Sequence, residues 1–313
     1  MKTFLVSVID SIHSTHAVEY MLRMTPIMQD FIYMLFYVQP TISDYIKEEA
    51  RKDAHAREKL KVLDEKNEAL GNDILNRHKK RLMEHHVPEE KIFLLNRKRL
   101  QAAAWDIIHH AWNESVDTIV MGRRGFSKFQ EIFIGSTTKS VIDHNPDIPV
   151  WVVDGEIVSK KILVAVDGST NSIKALDYLC DILRHNPDAP LTLFHVQPSW
   201  RDCCDIDFPA AMAPEDEQSA SNIIEKANRQ CIANFMEHAQ NRLKELEIPQ
   251  NRMEIKTQPS KLNIGKTILE EFQNGAYGTL VVGKRGMNRG SFIGSVSNYL
   301  ATHLENGALW IIP

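Results

Sequence analysis

The chain has 313 residues, 43% of them apolar and 25% charged, with a formal net charge of −4; this is the composition of about two globular domains, not of a disordered or fibrous chain. No basic field is present to hold nucleic acid or an anionic membrane, and the longest compact apolar stretch, Phe31 to Val38, is far short of the roughly 18 residues of a membrane span. The N-terminal segment lacks the full apolar region and small-residue cleavage site of a secretory leader, and the four cysteines show no CxxC spacing, so a reduced cytoplasmic setting without nucleic-acid or membrane partners is expected.

Taken in chain order, the first half offers strands at Thr3–Ile9, Phe31–Val38, Lys91–Leu95, Thr118–Met121 and Val150–Val153. These are continuous runs of branched and aromatic residues, the signature of parallel strands covered on both faces. Helical spacing separates them, as in Leu100–Glu114. The stretch Thr41–Lys91 carries twelve Lys/Arg and twelve Asp/Glu, with Ile46, Ala50, Ala54, Leu60, Leu63, Leu70, Ile74 and Leu82 near helical spacing. It reads as one long amphipathic helix with a solvated charged face.

The second half repeats the first. Lys2 to Asp10 parallels Lys161 to Asp167, which sets Asp10 beside Asp167 at an offset of 157. Leu35-Phe36-Tyr37-Val38-Gln39-Pro40 parallels Leu193-Phe194-His195-Val196-Gln197-Pro198 at 158, and Thr118 to Gly125 parallels Thr279 to Gly286 at 161. Trp151-Val152-Val153 parallels Trp310-Ile311-Ile312 at 159. Matching order at a near-constant offset means two copies of one domain, 1–154 and 155–313, joined at the short polar step Asp154-Gly155-Glu156. The alternating pattern predicts an α/β chain of two tandem doubly wound parallel sheets, with ligands beyond the carboxyl ends of the strands.

The most informative residues follow the fourth strand. Met121-Gly122-Arg123-Arg124-Gly125 is followed by nine residues and then Gly135-Ser136-Thr137 at the start of a helical pattern. Glycines let a backbone approach a phosphate, and the unpaired amides of a helix start favour an anion. Serine and threonine hydroxyls at the same place add donors. The pattern is neither a Walker A loop nor G-x-G-x-x-G. The same residues also fit a purely structural turn with serine N-caps. The pairs His85-His86 and His109-His110 read as solvated or half-buried side chains, not as metal ligands.

A G-x2-G-x9-G-[S/T] loop after the fourth strand, an Asp closing the first strand and a Val closing the second together resemble the ATP-binding pattern of the universal stress protein family, in its tandem-domain form. The resemblance covers the whole chain twice. It implies five strands per copy, in the order 3-2-1-4-5 of the adenine nucleotide alpha hydrolase-like fold. It implies pairing of the two final strands within the chain, with a homodimer left open. Its implied ligand is ATP, with or without Mg²⁺, and its implied role is a non-enzymatic stress-response module with no catalytic residue. The alternatives are a slow Mg²⁺-dependent hydrolase and a nucleotide-free scaffold. Carried over residue by residue, the implied contacts are Asp10, Val38, Met121, Gly122, Arg124, Gly125, Gly135, Ser136 and Thr137 in the first copy. Those of the second copy are Asp167, Val196, Gly283, Gly286, Gly294 and Ser295. Only seven residues separate Gly286 from Gly294, so the first copy is expected to be the better polyphosphate site.

Overall fold

The computed structural model describes residues 2–24, 31–123, 134–183, 189–199, 214–245, 249, 252–261, 263–286 and 294–313. Two compact units divide the chain, Met1–Ile148 and Pro149–Pro313.

The first unit opens with β1 (Lys2–Ser7), α1 (Ile12–Met24) and β2 (Phe31–Gln39). Next come α2 (Asp44–Lys52), α3 (Ala54–Glu84) and β3 (Ile92–Lys98), then α4 (Ala103–Asn113), β4 (Thr118–Gly122) and α5 (Ser136–His144). The sheet order is β3-β2-β1-β4, all parallel. Phe4, Leu5 and Val6 of β1 and Ile119 and Val120 of β4 are fully buried, which explains their uninterrupted apolar sequence.

The single helix expected over 41–91 is two. Asp53 adopts extended backbone (φ −118°, ψ 131°), and its Oδ2 accepts a 2.6 Å hydrogen bond from the Ala56 amide, so it ends α2 and caps α3. Of the expected apolar face, Ala50 on α2 and the C-terminal part of α3 are covered: Gly71, Ile74, Leu75, His78 and Leu82 are buried, whereas Leu63 and Leu70 are exposed.

The second unit holds β5 (Val150–Val153), β6 (Ile162–Val166), α6 (Thr170–Leu183), β7 (Leu191–Gln197) and α7 (Pro214–Glu245). It continues with β8 (Met253–Pro259), α8 (Ile264–Asn274), β9 (Thr279–Gly283), α9 (Ser295–His303) and β10 (Ala308–Ile312). Strands β8-β7-β6-β9-β10 are parallel, which is the expected order 3-2-1-4-5 counted within this copy. β5 is added to this sheet antiparallel to β10, with Trp151 opposite Trp310. The two indoles are fully buried and stacked, 3.9 Å between centroids at 5°.

Candidate functional site

In the second unit the chain reverses between β6 and α6 through Asp167-Gly168-Ser169. Gly168 has φ +79°, and a Cβ there would come within 3.0 Å of Cys231 on α7, so both backbone and space call for glycine. The turn is held by Asp167: its Oδ1 accepts from the Ser169 amide at 3.0 Å and from the Ser172 hydroxyl at 2.5 Å. The Ser172 hydroxyl oxygen in turn accepts from the Asp167 amide at 3.1 Å. The other carboxylate oxygen faces the end of β9, where a Cβ on Gly286 would lie 2.7 Å from it.

The β9 loop is pinched at its base. The Gly294 amide donates to the Lys284 carbonyl at 2.8 Å, and the Ser297 hydroxyl donates to the Gly283 carbonyl at 2.7 Å. Gly294 is the N-cap and supplies no side-chain acceptor, so the first amides of α9 face outward with the positive end of the helix dipole.

Asp167, Val196, Gly283, Gly286, Gly294 and Ser295, all six second-copy residues named from the sequence, line one cavity of about 280 Å³. That is near the lower end, ~300 Å³, of small-molecule sites. Its other walls include Phe194, Ile264 and Ile268, together with Arg285, whose charge in the glycine loop the sequence already suggests for phosphates, and His195 and Asn228, to which the sequence assigns no role. The sequence signal for His195 is a polar residue inside the otherwise apolar run Leu193 to Val196. His195 is buried; its Nδ1 lies 2.9 Å from the Val166 carbonyl and its Nε2 2.9 Å from Asn228 Nδ2. Burial holds its pKa below the ordinary histidine value.

The first unit repeats the frame. Gly135 is the N-cap of α5 and its amide donates to the Arg123 carbonyl at 2.8 Å; the Thr138 hydroxyl donates to the Gly122 carbonyl at 3.0 Å. A Cβ on Gly122 would lie 2.9 Å from His13, as one on Gly283 would from Asn171. Met121 is buried, Val38 and Thr137 are half-buried and Ser136 is exposed. Arg124 and Gly125 lie outside the described residues, as does the segment 287–293 of the second loop.

The register corrects the alignment of Asp10 with Asp167. Phe4 opposes Thr118 as Ile162 opposes Thr279, so Ile9 stands at the position of Asp167 and Asp10 at that of Gly168. The turn hydrogen bonds agree: the Ile9 amide donates to Ser14 Oγ at 3.0 Å as the Asp167 amide does to Ser172 Oγ. The near-identical strings misled because one extra residue sits between strand and aspartate in the first copy. The Asp10 side chain is half-exposed and accepts from Arg77 of α3 at 2.9 Å.

The same register puts Tyr37 at the position of His195, since Ser7 opposes Phe36 as Ala165 opposes Phe194. Tyr37 packs on Gly71 of α3, where a Cβ would come 2.7 Å from its ring. Its phenol pKa is raised, first by burial and then by the charge of Asp10. Deeper on α3, His78 is buried and its pKa is pushed down to about 4, chiefly by burial and then by Arg81 and Arg77.

Among the described residues, no helix is long and apolar enough to cross a membrane, and no group of three His, Cys, Asp or Glu side chains is placed to hold a metal ion. Cys180 is buried, and burial raises its thiol pKa to about 12, which leaves it unreactive.

A comparison with curated proteins found no match. Among solved structures, a universal stress protein from Archaeoglobus fulgidus DSM 4304 is similar with a TM-score of 0.62 at 18% identity, covering 99% of this chain and 97% of that one. A putative universal stress protein from Pseudomonas aeruginosa UCBPP-PA14 matches with a TM-score of 0.62 at 14% identity, covering 100% and 93%. A functionally unknown protein from Pseudomonas aeruginosa PAO1 gives 0.61 at 12%, covering 100% and 92%. At these identities the likeness is one of fold. The model of the universal stress protein family matches residues 1–154 and again 159–307. With both copies matched, this chain belongs to the universal stress protein family and carries its domain twice in tandem.

Proposed function

We propose that the second unit binds an adenine nucleotide, ATP by family resemblance, and that the chain acts as a non-enzymatic module of a cytoplasmic stress response. The observation that carries this reading is the convergence of all six motif-derived residues of the second copy on one cavity. Its apolar walls suit a base, and Val196 stands where the resemblance sets the adenine contact. Asp167 borders the same cavity, where the resemblance sets the adenosine contact. The α9 amides, Ser295 and Arg285 offer donors and positive charge to phosphates. Gly286 fits the same reading, because any side chain there would enter the space in front of Asp167.

The non-enzymatic part rests on Asp167. Its Oδ1 already accepts from the Ser169 amide and the Ser172 hydroxyl, so that oxygen is engaged in holding the turn between β6 and α6. The test uses freshly purified full-length protein. Heat denaturation is expected to release an adenine nucleotide, and ATP with Mg²⁺ is expected to remain intact on incubation. Sustained turnover overturns the non-enzymatic assignment. No released nucleotide together with no ATP binding by calorimetry overturns the whole reading.

A further inference from the structure

The pair His195–Asn228 has a directional chemistry. A backbone carbonyl only accepts, so His195 Nδ1 at 2.9 Å from the Val166 oxygen must carry the proton. Burial keeps the ring neutral, which makes Nε2 an acceptor. Asn228 therefore presents its NH₂ group to Nε2, at 2.9 Å, and its carbonyl is turned away from the ring. Among the described residues that Oδ1 has no hydrogen-bond partner, and Asn228 lines the cavity beside Val196. The amide cannot flip without setting its oxygen against the Nε2 lone pair.

We infer that the Val166–His195–Asn228 relay is a specificity device that presents a fixed acceptor to the ligand, selecting a purine with an exocyclic 6-amino group over one with a 6-oxo group. This rests on the nucleotide-binding reading above and names the residues that would choose the base. Asn228 is the contacting residue, and His195 is a positioning residue that acts through it. An amino group donates to the free carbonyl, whereas an oxo group would oppose it oxygen to oxygen and leave both unpaired. The first copy cannot build the relay, because Tyr37 stands in place of His195 and packs on Gly71.

The experiment is calorimetric titration of the full-length protein with ATP and with ITP, which differ at the 6-position. The wild type is expected to bind ATP at least about tenfold more tightly than ITP. Asn228→Leu is expected to bring the ratio near one mainly by weakening ATP. His195→Phe, which frees the amide to rotate, is expected to reduce the ratio while ATP still binds; a merely structural role would weaken both ligands together. Equal wild-type affinity for the two nucleotides, or an ATP/ITP ratio unmoved in Asn228→Leu, overturns the inference and leaves the nucleotide reading standing. Binding of neither overturns both.

Discussion

The two strand-to-helix corners of this chain share a frame and differ in what fills it. Each copy ends its fourth strand on a glycine whose missing side chain lets the first helix approach, and each pins its loop with an amide and a hydroxyl to the same two carbonyls. At the corner itself the second copy has Asp167, Gly168, His195 and Asn228, and the first has Ile9, Asp10, Tyr37 and Gly71. The second set converges on a cavity. The first ties its aspartate outward to Arg77 and sets an aromatic ring against the crossover helix. Pins and glycines preserve a fold; the side chains between them decide whether a ligand has anything to bind.

The largest effect that would break this comparison is on ligand affinity. Gly286→Asp brings a second carboxylate against Asp167 and into the anion space. It is expected to weaken ATP binding by about 100-fold, while Gly125→Asp changes it by no more than about twofold. Both are read by calorimetry on folded protein. The reverse result would return the nucleotide to the first copy, where the longer loop spacing places it.

The next effect is on stability. His78 on α3 and Phe235 on α7 are both buried, but only His78 carries an ionisable group. The native His78 takes up its proton only near about 4, whereas the unfolded chain does so near the ordinary histidine value of 6.5. The unfolded state thus binds more protons between these values, and stability is lost as pH falls through that window, by up to about 3 kcal/mol from this group. Urea unfolding from pH 7.5 to 4.5 should show that slope, and His78→Phe should flatten it. An unchanged slope would mean that other histidines carry the whole acid sensitivity.

The smallest effect sharpens the register. Asp10→Ala removes one exposed ion pair and is expected to cost below about 1 kcal/mol. Asp167→Ala removes the acceptor of two turn hydrogen bonds and is expected to cost about 1–3 kcal/mol. Equal costs by urea unfolding would contradict the placement of Ile9 at the position of Asp167.

The fold was legible because the buried strands repeat: Leu163 and Val164 answer Leu5 and Val6, and Leu280 and Val281 answer Ile119 and Val120. The six second-copy site residues were legible for a related reason, since glycines and an aspartate at strand ends leave a spacing that survives in the string. The relay was not. His195 and Asn228 lie 33 positions apart on a strand and a helix, and only helix packing brings them together. Asp10 misled because a one-residue shift is invisible in aligned letters, yet it turns a side chain from the pocket to solvent. The break at Asp53 escaped because a charged residue in a charged run carries no periodic signal.

The addition of β5 to the second sheet sets where this chain can be cut. A protease or an engineer working from the repeat boundary would sever the chain after Asp154 and remove the strand whose Trp151 covers Trp310. The remaining β10 would be left as an open, wholly apolar edge, ready to recruit any matching strand in solution. A cut before Pro149 keeps that edge closed. The boundary of the duplicated sequence and the boundary of the compact unit are therefore offset by one strand, and a recombined copy of this domain would keep Trp310 covered only if it carried β5 along.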